Sequence, residues 1–327
     1  MEKILIATIF LSFFATFVLL PFWIRRAHKE GLVGKDMHKV EKENVAEAGG
    51  ISVLFGFAVG ILLYIAINTF YFKNLTNLTG MFAILSVLFI ASIVGVVDDL
   101  LGWKKGLSKW VRILIVLFAA VPLMVINAGE STMMGISFGL LYPLIIVPLG
   151  IVGATTTFNF LAGYNGLETG QGILVLTGLA VATYLTDSAW LSVVALCMVA
   201  ALFAFYVFNR YPSKIFPGDI LTYSVGALIA CIAILGNIEK IAVFFFLPYI
   251  VETILKSRGR LKKESFAKLN SDGSLEQPYD KIYGLEHLAI KILKKIKHSK
   301  KAYEWEVVYL INGVQALIIL LGILIFL

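Results

Sequence analysis

Long apolar runs alternate with short polar stretches along the whole chain. The runs have the length that crosses a bilayer, roughly 20 residues at about 1.5 Å per residue. Ten membrane helices are predicted, near residues 3–24, 50–72, 80–98, 110–128, 138–157, 172–186, 189–208, 219–236, 239–255 and 306–327. Pro143 and Pro148 interrupt the fifth run, and the sixth is short. No small-residue cleavage pattern follows the first run, so it is read as a retained helix rather than a signal peptide. The expected fold class is an all-α polytopic membrane protein, one transmembrane domain over residues 1–327 with a single sizeable insertion at 256–304.

Two small elements are expected in that insertion. In KLNSDGSLEQP (268–278) the Asp272-Gly273 pair is a turn signal between short segments, which predicts a hairpin. In YGLEHLAIKILKKIK (283–297), Leu285, Leu288, Ala289, Ile292, Leu293 and Ile296 share one helical face and four lysines occupy the others. That pattern predicts a basic amphipathic helix lying on an anionic membrane surface.

Composition narrows the class further. The chain of 327 residues is 59% hydrophobic and only 15% charged, with a mean hydropathy of +0.88. A soluble domain of this size could not cover so much apolar surface. Cys197 and Cys231 both fall inside apolar runs, which excludes a disulfide framework and any metal-type cysteine spacing. The net charge of +7 is assigned to membrane topology, anionic lipid and phosphate chemistry rather than to nucleic acid. With ten crossings, 25 of the 28 Lys and Arg residues fall on one face of the membrane, and Lys3, Lys73 and Lys240 fall on the other. The rule that cytoplasmic loops are basic then puts both termini outside and the odd-numbered loops inside.

Polar residues gather in those same odd-numbered loops, in four clusters. The apolar run before GVVDDLLGWKKG (95–106) ends on Asp98 and Asp99. Two adjacent carboxylates repel by about 4 kcal/mol at ~4 Å with an effective dielectric near 20, and a divalent cation reverses that sign. TTTFNFLAGYNGLETGQG (155–172) places Asn159, Asn165, Glu168 and Gln171 among glycines whose backbone N–H groups can approach a ligand. It is no P-loop, because GxxxxGK[ST] is absent. NRYPSKIFPGDIL (209–221) delivers Asp219 to a helix start, where a plain N-cap is the simpler reading. KSRGRLKK (256–263) sets Arg258 and Arg260 around Gly259; a guanidinium fork suits phosphate oxygens, and basic stop signals look the same. Together the clusters supply carboxylates, an amide oxygen and cations on one membrane face, the set that Mg²⁺-assisted phosphoryl transfer requires.

At this point the sequence resembles the polyprenyl-phosphate N-acetylhexosamine-1-phosphate transferases, and within them the archaeal and eukaryotic enzymes that make GlcNAc-pyrophosphoryl-dolichol. The likeness covers nearly the whole chain: GLVGKDMHK (31–39), NVAEAGGI (44–51), VGVVDDLLG, NFLAGYNGLETGQ, RYPSKIFPGD, SRGR and YGLEHLAIK. It implies transfer of GlcNAc-1-phosphate from UDP-GlcNAc to a dolichyl or other polyprenyl phosphate with release of UMP, the first membrane step of lipid-linked glycan assembly. It implies Asn159 and Asp219 as Mg²⁺ ligands, which Mn²⁺ could replace, with Asp98 and Asp99 lining the same site and one of them as base or metal-site partner. Lys109 would contact phosphate, with Lys104 and Lys105 as rivals. Asn165 would hydrogen-bond uracil beside Phe216, Arg258 and Arg260 would bind the diphosphate or shape the sugar pocket, and Glu47 would contact the nucleotide sugar. The implied partners are UDP-GlcNAc, the lipid phosphate and the bilayer; a homodimer is compatible with this picture, and no nucleic acid is expected. The implied location is an integral membrane one, the plasma membrane in an archaeon, with the active site cytoplasmic.

Two departures bear on specificity. Members acting on the muramyl-pentapeptide nucleotide carry a histidine-rich motif where this chain reads SRGR, and eukaryotic relatives place a histidine where Gly259 stands. His38, His287 and His298 are read as surface or packing residues. The competing class is a transporter, since ionisable groups in membrane spans often mark solute pathways. It is disfavoured because the charges cluster on one face and no inverted repeat is visible.

Overall fold

The computed structural model describes residues 3–101, 106–133 and 135–327. The chain folds into helices joined by short hairpins. The N-terminal helix α1 is Ile6–Glu30, ended by Gly31 in the left-handed conformation. Strands β1 (Val33–Lys35) and β2 (Asn44–Ala46) pair antiparallel, Val33 against Ala46, and lead into α2 (Gly50–Ala66), which continues as a π-helical turn over Ile67–Phe72. Next come α3 (Leu78–Leu101), α4 (Lys109–Ala119), α5 (Val121–Val125), and the two-residue strands β3 (Thr132–Met133) and β4 (Ile136–Ser137). A π-helical turn, Tyr142–Ile146, opens α6 (Val147–Phe158). The C-terminal half comprises α7 (Leu167–Leu185), α8 (Ala189–Asn209), α9 (Gly218–Leu235), α10 (Glu239–Phe245), α11 (Leu247–Arg258), the hairpin β5 (Lys268–Leu269) with β6 (Leu275–Glu276), α12 (Leu285–Ile296) and α13 (Glu304–Phe326).

Among the described residues six helices are long and apolar enough to cross a membrane: Ile6–Glu30, Gly50–Phe72, Leu78–Leu101, Ala189–Asn209, Gly218–Leu235 and Glu304–Phe326. The four other runs of the expected ten are shorter, interrupted or more polar. Pro122 starts a new helix after α4, Pro143 and Pro148 limit the fifth run, and Pro248 begins α11 where α10 ends. Proline removes a backbone donor and clashes with the preceding turn. The remaining run, α7, spends its first turns on Leu-Glu-Thr-Gly-Gln-Gly.

The bundle is layered around α9, of which 83% of the span is buried against 22% for α1 and 28% for α13. Those two outer helices present Phe10, Phe14, Phe22 and Leu324 outward, the surface that lipid tails would cover. The contact that positions the rest is α3 against α9. A Cβ placed on Gly95 would lie 2.2 Å from the backbone nitrogen of Ile220, so only a glycine allows the two backbones to touch there. Small residues permit this close helix approach inside a membrane, where no hydrophobic force drives helices together. Asp98 and Asp99 follow one turn later on α3, opposite the first turn of α9.

The expected amphipathic helix forms as α12, with one face packed on the protein. Glu286, His287, Ala289 and Ile290 are buried, while Ile292 and Ile296 stay exposed. The reason is polar. The Leu285 N–H donates to Glu252 Oε2 of α11 at 2.6 Å, which pins the helix start. Burial and then the neighbouring Glu252 push the Glu286 carboxyl up to about 8.

Gly95→Ala should destabilise the protein by roughly 1–3 kcal/mol through overpacking. Gly153→Ala, whose added Cβ would meet nothing within 4 Å, should not. Thermal melting in detergent checks the pair; equal melting temperatures would show that α3 and α9 are not held by this contact.

Candidate active site

The first turn of a helix leaves backbone N–H groups without partners, and α9 solves this with a carboxylate from another helix. Asp99 Oδ1 accepts the Asp219 N–H at 3.0 Å. The Asp219 side chain makes no cap of its own, so the simple N-cap reading does not hold. Gly218, at φ +68°, makes the turn possible; a Cβ there would meet Asp99 Oδ2 at 2.1 Å. Among the described residues Asp99 Oδ2 is buried without a hydrogen-bond partner.

Asp98, beside it on α3, points to a different place. Its Oδ1 accepts the Leu107 N–H at 2.5 Å, which ties it to the turn before α4. Its Oδ2 lies 2.8 Å from Arg112 Nε, and Arg112 Nη1 lies 3.5 Å from Asp219 Oδ2. Arg112 therefore bridges the carboxylates of two helices. Asn159, the residue that ends α6, accepts the Thr222 hydroxyl at 3.0 Å, and that hydroxyl also lies 3.1 Å from the Asp219 carbonyl oxygen. Asp98, Asp99, Asn159 and Asp219 thus share one neighbourhood, supplied by α3, α6 and α9.

A cavity of about 690 Å³ opens beside this cluster. Glu47, Asp99, Asn165, Glu168, Phe216 and Asp219 all line it. Backbone bonds fix the rim: Phe216 N–H donates to Ala46 O at 2.7 Å, Gly49 N–H to Phe216 O at 3.0 Å, and Gly50 N–H to Pro217 O at 2.8 Å. These lock the β1–β2 hairpin to the Phe216-Pro217 turn. Burial, and secondarily the Asp219 charge, hold the Glu47 carboxyl above the usual carboxylate range.

Among the described residues the cavity lining carries four carboxylates, Glu47, Asp99, Glu168 and Asp219, against one basic residue, Lys35. Such a lining repels a phosphate unless a cation intervenes. Among the described residues no three His, Cys, Asp or Glu side chains form a ready-made metal cage. A hard dication such as Mg²⁺ does not need one. It binds through one or two carboxylates and keeps the rest of its shell for water and substrate phosphates. The oxygen donors of Asp219 and Asn159, next to the unpartnered Asp99 Oδ2, fit that demand.

Other sequence candidates lie elsewhere. Lys109 is exposed at the first position of α4, one turn before Arg112 and outside the cavity lining. Arg258 and Arg260 are exposed at the end of α11, also outside the lining. Lys104 and Lys105 lie outside the described residues. His38 and His287 are buried and His298 is exposed.

Sequence reasoning missed Arg112, Lys35, Asp36 and Glu304. Arg112 had a signal: it follows Lys109 by three residues in a basic loop that returns to the Asp pair. Glu304 had none, because it meets the Asn165 N–H at 2.8 Å across 139 residues.

Comparison with known proteins gives the family of the chain. A model of glycosyl transferase family 4 matches residues 81–237. A Saccharolobus solfataricus protein is 33% identical over 323 residues, covering 97% of this chain and 95% of its own. It bears the provisional name UDP-N-acetylglucosamine–dolichyl-phosphate N-acetylglucosaminephosphotransferase. The Dictyostelium discoideum protein of that name is 27% identical over 299 residues, 77% of this chain and 72% of its own. A Streptococcus mutans phospho-N-acetylmuramoyl-pentapeptide-transferase is 27% identical over 259 residues, 74% of this chain and 76% of its own. The near full-length match and the family model together place this chain in glycosyl transferase family 4, among the polyprenyl-phosphate N-acetylhexosamine-1-phosphate transferases that its motifs resemble.

Proposed function

We propose that the chain transfers N-acetylglucosamine 1-phosphate from UDP-GlcNAc to a dolichyl or related polyprenyl phosphate, giving GlcNAc-PP-dolichol and UMP. The supporting observation is the meeting of Asp99, Asn159 and Asp219, with Arg112 bridging Asp219 to Asp98, beside a cavity wide enough for a nucleotide sugar. The names of the most similar relatives point the same way.

In this reading an oxygen of the lipid phosphate attacks the β-phosphorus of UDP-GlcNAc. The bond from that phosphorus to the bridging oxygen breaks, and UMP leaves with the bridging oxygen. Asp219 and Asn159 would hold Mg²⁺, which supplies charge neutralisation for the diphosphate when bound. Arg112 ties the Asp98 carboxylate of α3 to the Asp219 carboxylate of α9. Asp99 Oδ2, lacking a partner, is the acceptor available for a proton of the incoming lipid phosphate. Asn165 and Phe216 would face the base and Glu47 the nucleotide sugar, while Lys109 would contact phosphate and Arg258 and Arg260 would bind the diphosphate or shape the sugar pocket from outside the cavity lining. We further propose ten crossings, both termini outside, and the site at the cytoplasmic boundary, where the basic loops lie.

Purified protein incubated with dolichyl phosphate, Mg²⁺ and a panel of UDP-sugars should release UMP with UDP-GlcNAc. Absence of UMP with every sugar would overturn the assignment.

Asp219→Ala and Asn159→Ala should each lower UMP release by about 10²-fold or more, the scale of losing one preorganised charge-stabilising group, while melting temperature is retained. Full activity in both would remove the proposed metal site.

Arg112→Ala should cost more activity than Lys109→Ala, and Arg112→Lys should recover part of it, because a point charge replaces a fork. Steady-state rates of the three variants decide this; a larger loss at Lys109 would reverse the ranking.

A further inference from the structure

Asn165 has one hydrogen-bonding group left for the cavity it lines. Its Nδ2 donates to Asp36 Oδ2 at 2.9 Å and to Glu304 Oε2 at 3.4 Å. Its backbone N–H donates to Glu304 Oε1 at 2.8 Å. A side-chain amide nitrogen carries two donors and no acceptor, so both are taken. Turning the amide round would set its oxygen against two carboxylates in a buried place, which is strongly disfavoured. The amide oxygen therefore remains for a ligand.

The clamp is itself held. The His38 N–H donates to Asp36 Oδ1 at 3.1 Å, and Lys39 Nζ lies 3.5 Å from Asp36 Oδ2. His38 Nε2 accepts the Ala267 N–H at 3.2 Å, which leaves the proton of the neutral ring on Nδ1, 3.3 Å from Glu304 Oε1. The imidazole packs on Tyr164, ring centroids 4.3 Å apart. Asp36, His38, Asn165 and Glu304 are all 5% exposed or less. Residues from the first loop, the 159–166 loop, the last loop and the start of α13 thus converge on one amide.

We propose that Asp36 and Glu304 are specificity-determining positioning residues: they lock the Asn165 amide with its oxygen toward the cavity, so that the site selects a base presenting a ring N–H and rejects one presenting a ring lone pair. This rests on the reading that Asn165 meets the nucleobase. Uracil carries hydrogen on N3 and satisfies the lock. Cytosine has a lone pair at N3 and would set two acceptors face to face. An unclamped asparagine could turn its amide and read either base.

The test is competition of UMP, CMP and N3-methyl-UMP against UDP-GlcNAc in the unmodified protein, followed by formation of the lipid product. CMP and N3-methyl-UMP should compete on the order of 10- to 100-fold more weakly than UMP, the factor an unmatched buried polar pair imposes. Equal competition by CMP would overturn the proposal. In the Asp36→Asn/Glu304→Gln double variant, which keeps shape but frees the amide to turn, the UMP-to-CMP ratio should narrow about tenfold; an unchanged ratio in a variant that still turns over would also overturn it. If that variant does not fold, N3-methyl-UMP on the unmodified protein decides: competition equal to that of UMP refutes the lock. Failure to release UMP from UDP-GlcNAc would instead sink the transferase reading, whereas turnover without base selectivity would sink the lock alone.

Discussion

The site depends on the backbone contact between α3 and α9 at Gly95. Two helices that touch there carry their carboxylates, Asp98 and Asp99 on one and Asp219 on the other, to the same level. The contact also lets Asp99 reach the unpaired N–H groups at the start of α9, where the helix dipole favours negative charge by roughly 0.3–1 kcal/mol. One carboxylate is thereby built into the fold, while its second oxygen remains available for chemistry.

Gathering these groups costs energy. Each pair of like charges a few ångströms apart repels by several kcal/mol at about the effective dielectric of protein interiors. Arg112 offsets part of this by lying between Asp98 and Asp219. The cavity side stays negative, with four carboxylates and Lys35. In the proposed reading that imbalance would suit a divalent cation arriving together with phosphates, since neither alone would be well accommodated. Placing the cluster at helix ends also avoids the full penalty of charge at a bilayer centre.

The helical class was legible because apolar runs and basic loops are properties of composition along the chain. Asp98, Asp99, Asn159 and Asp219 were legible because each stands at a run's edge, where a carboxylate or amide has no packing reason to be. The number of spanning helices was less so. Proline breaks turn continuous apolar runs into paired short helices, and hydropathy alone does not register a break at Ala120 or Phe246. The side of α12 that meets the protein was not legible for a related reason. The start of α12 is pinned by the Leu285 N–H donating to Glu252 of α11, a partner 33 residues away that periodicity cannot register. Arg112 left only a weak trace, a place in the basic loop that returns to the Asp pair, and Glu304 left none, because it meets Asn165 across 139 residues.

The most direct measurement follows the phosphorus atoms of the donor. UDP-GlcNAc labelled separately at its α- and β-phosphorus is given to the purified protein with dolichyl phosphate and Mg²⁺. The account predicts β-label in the lipid product and α-label in UMP. Both labels in the lipid, or β-label released as inorganic phosphate with none in lipid, would contradict it.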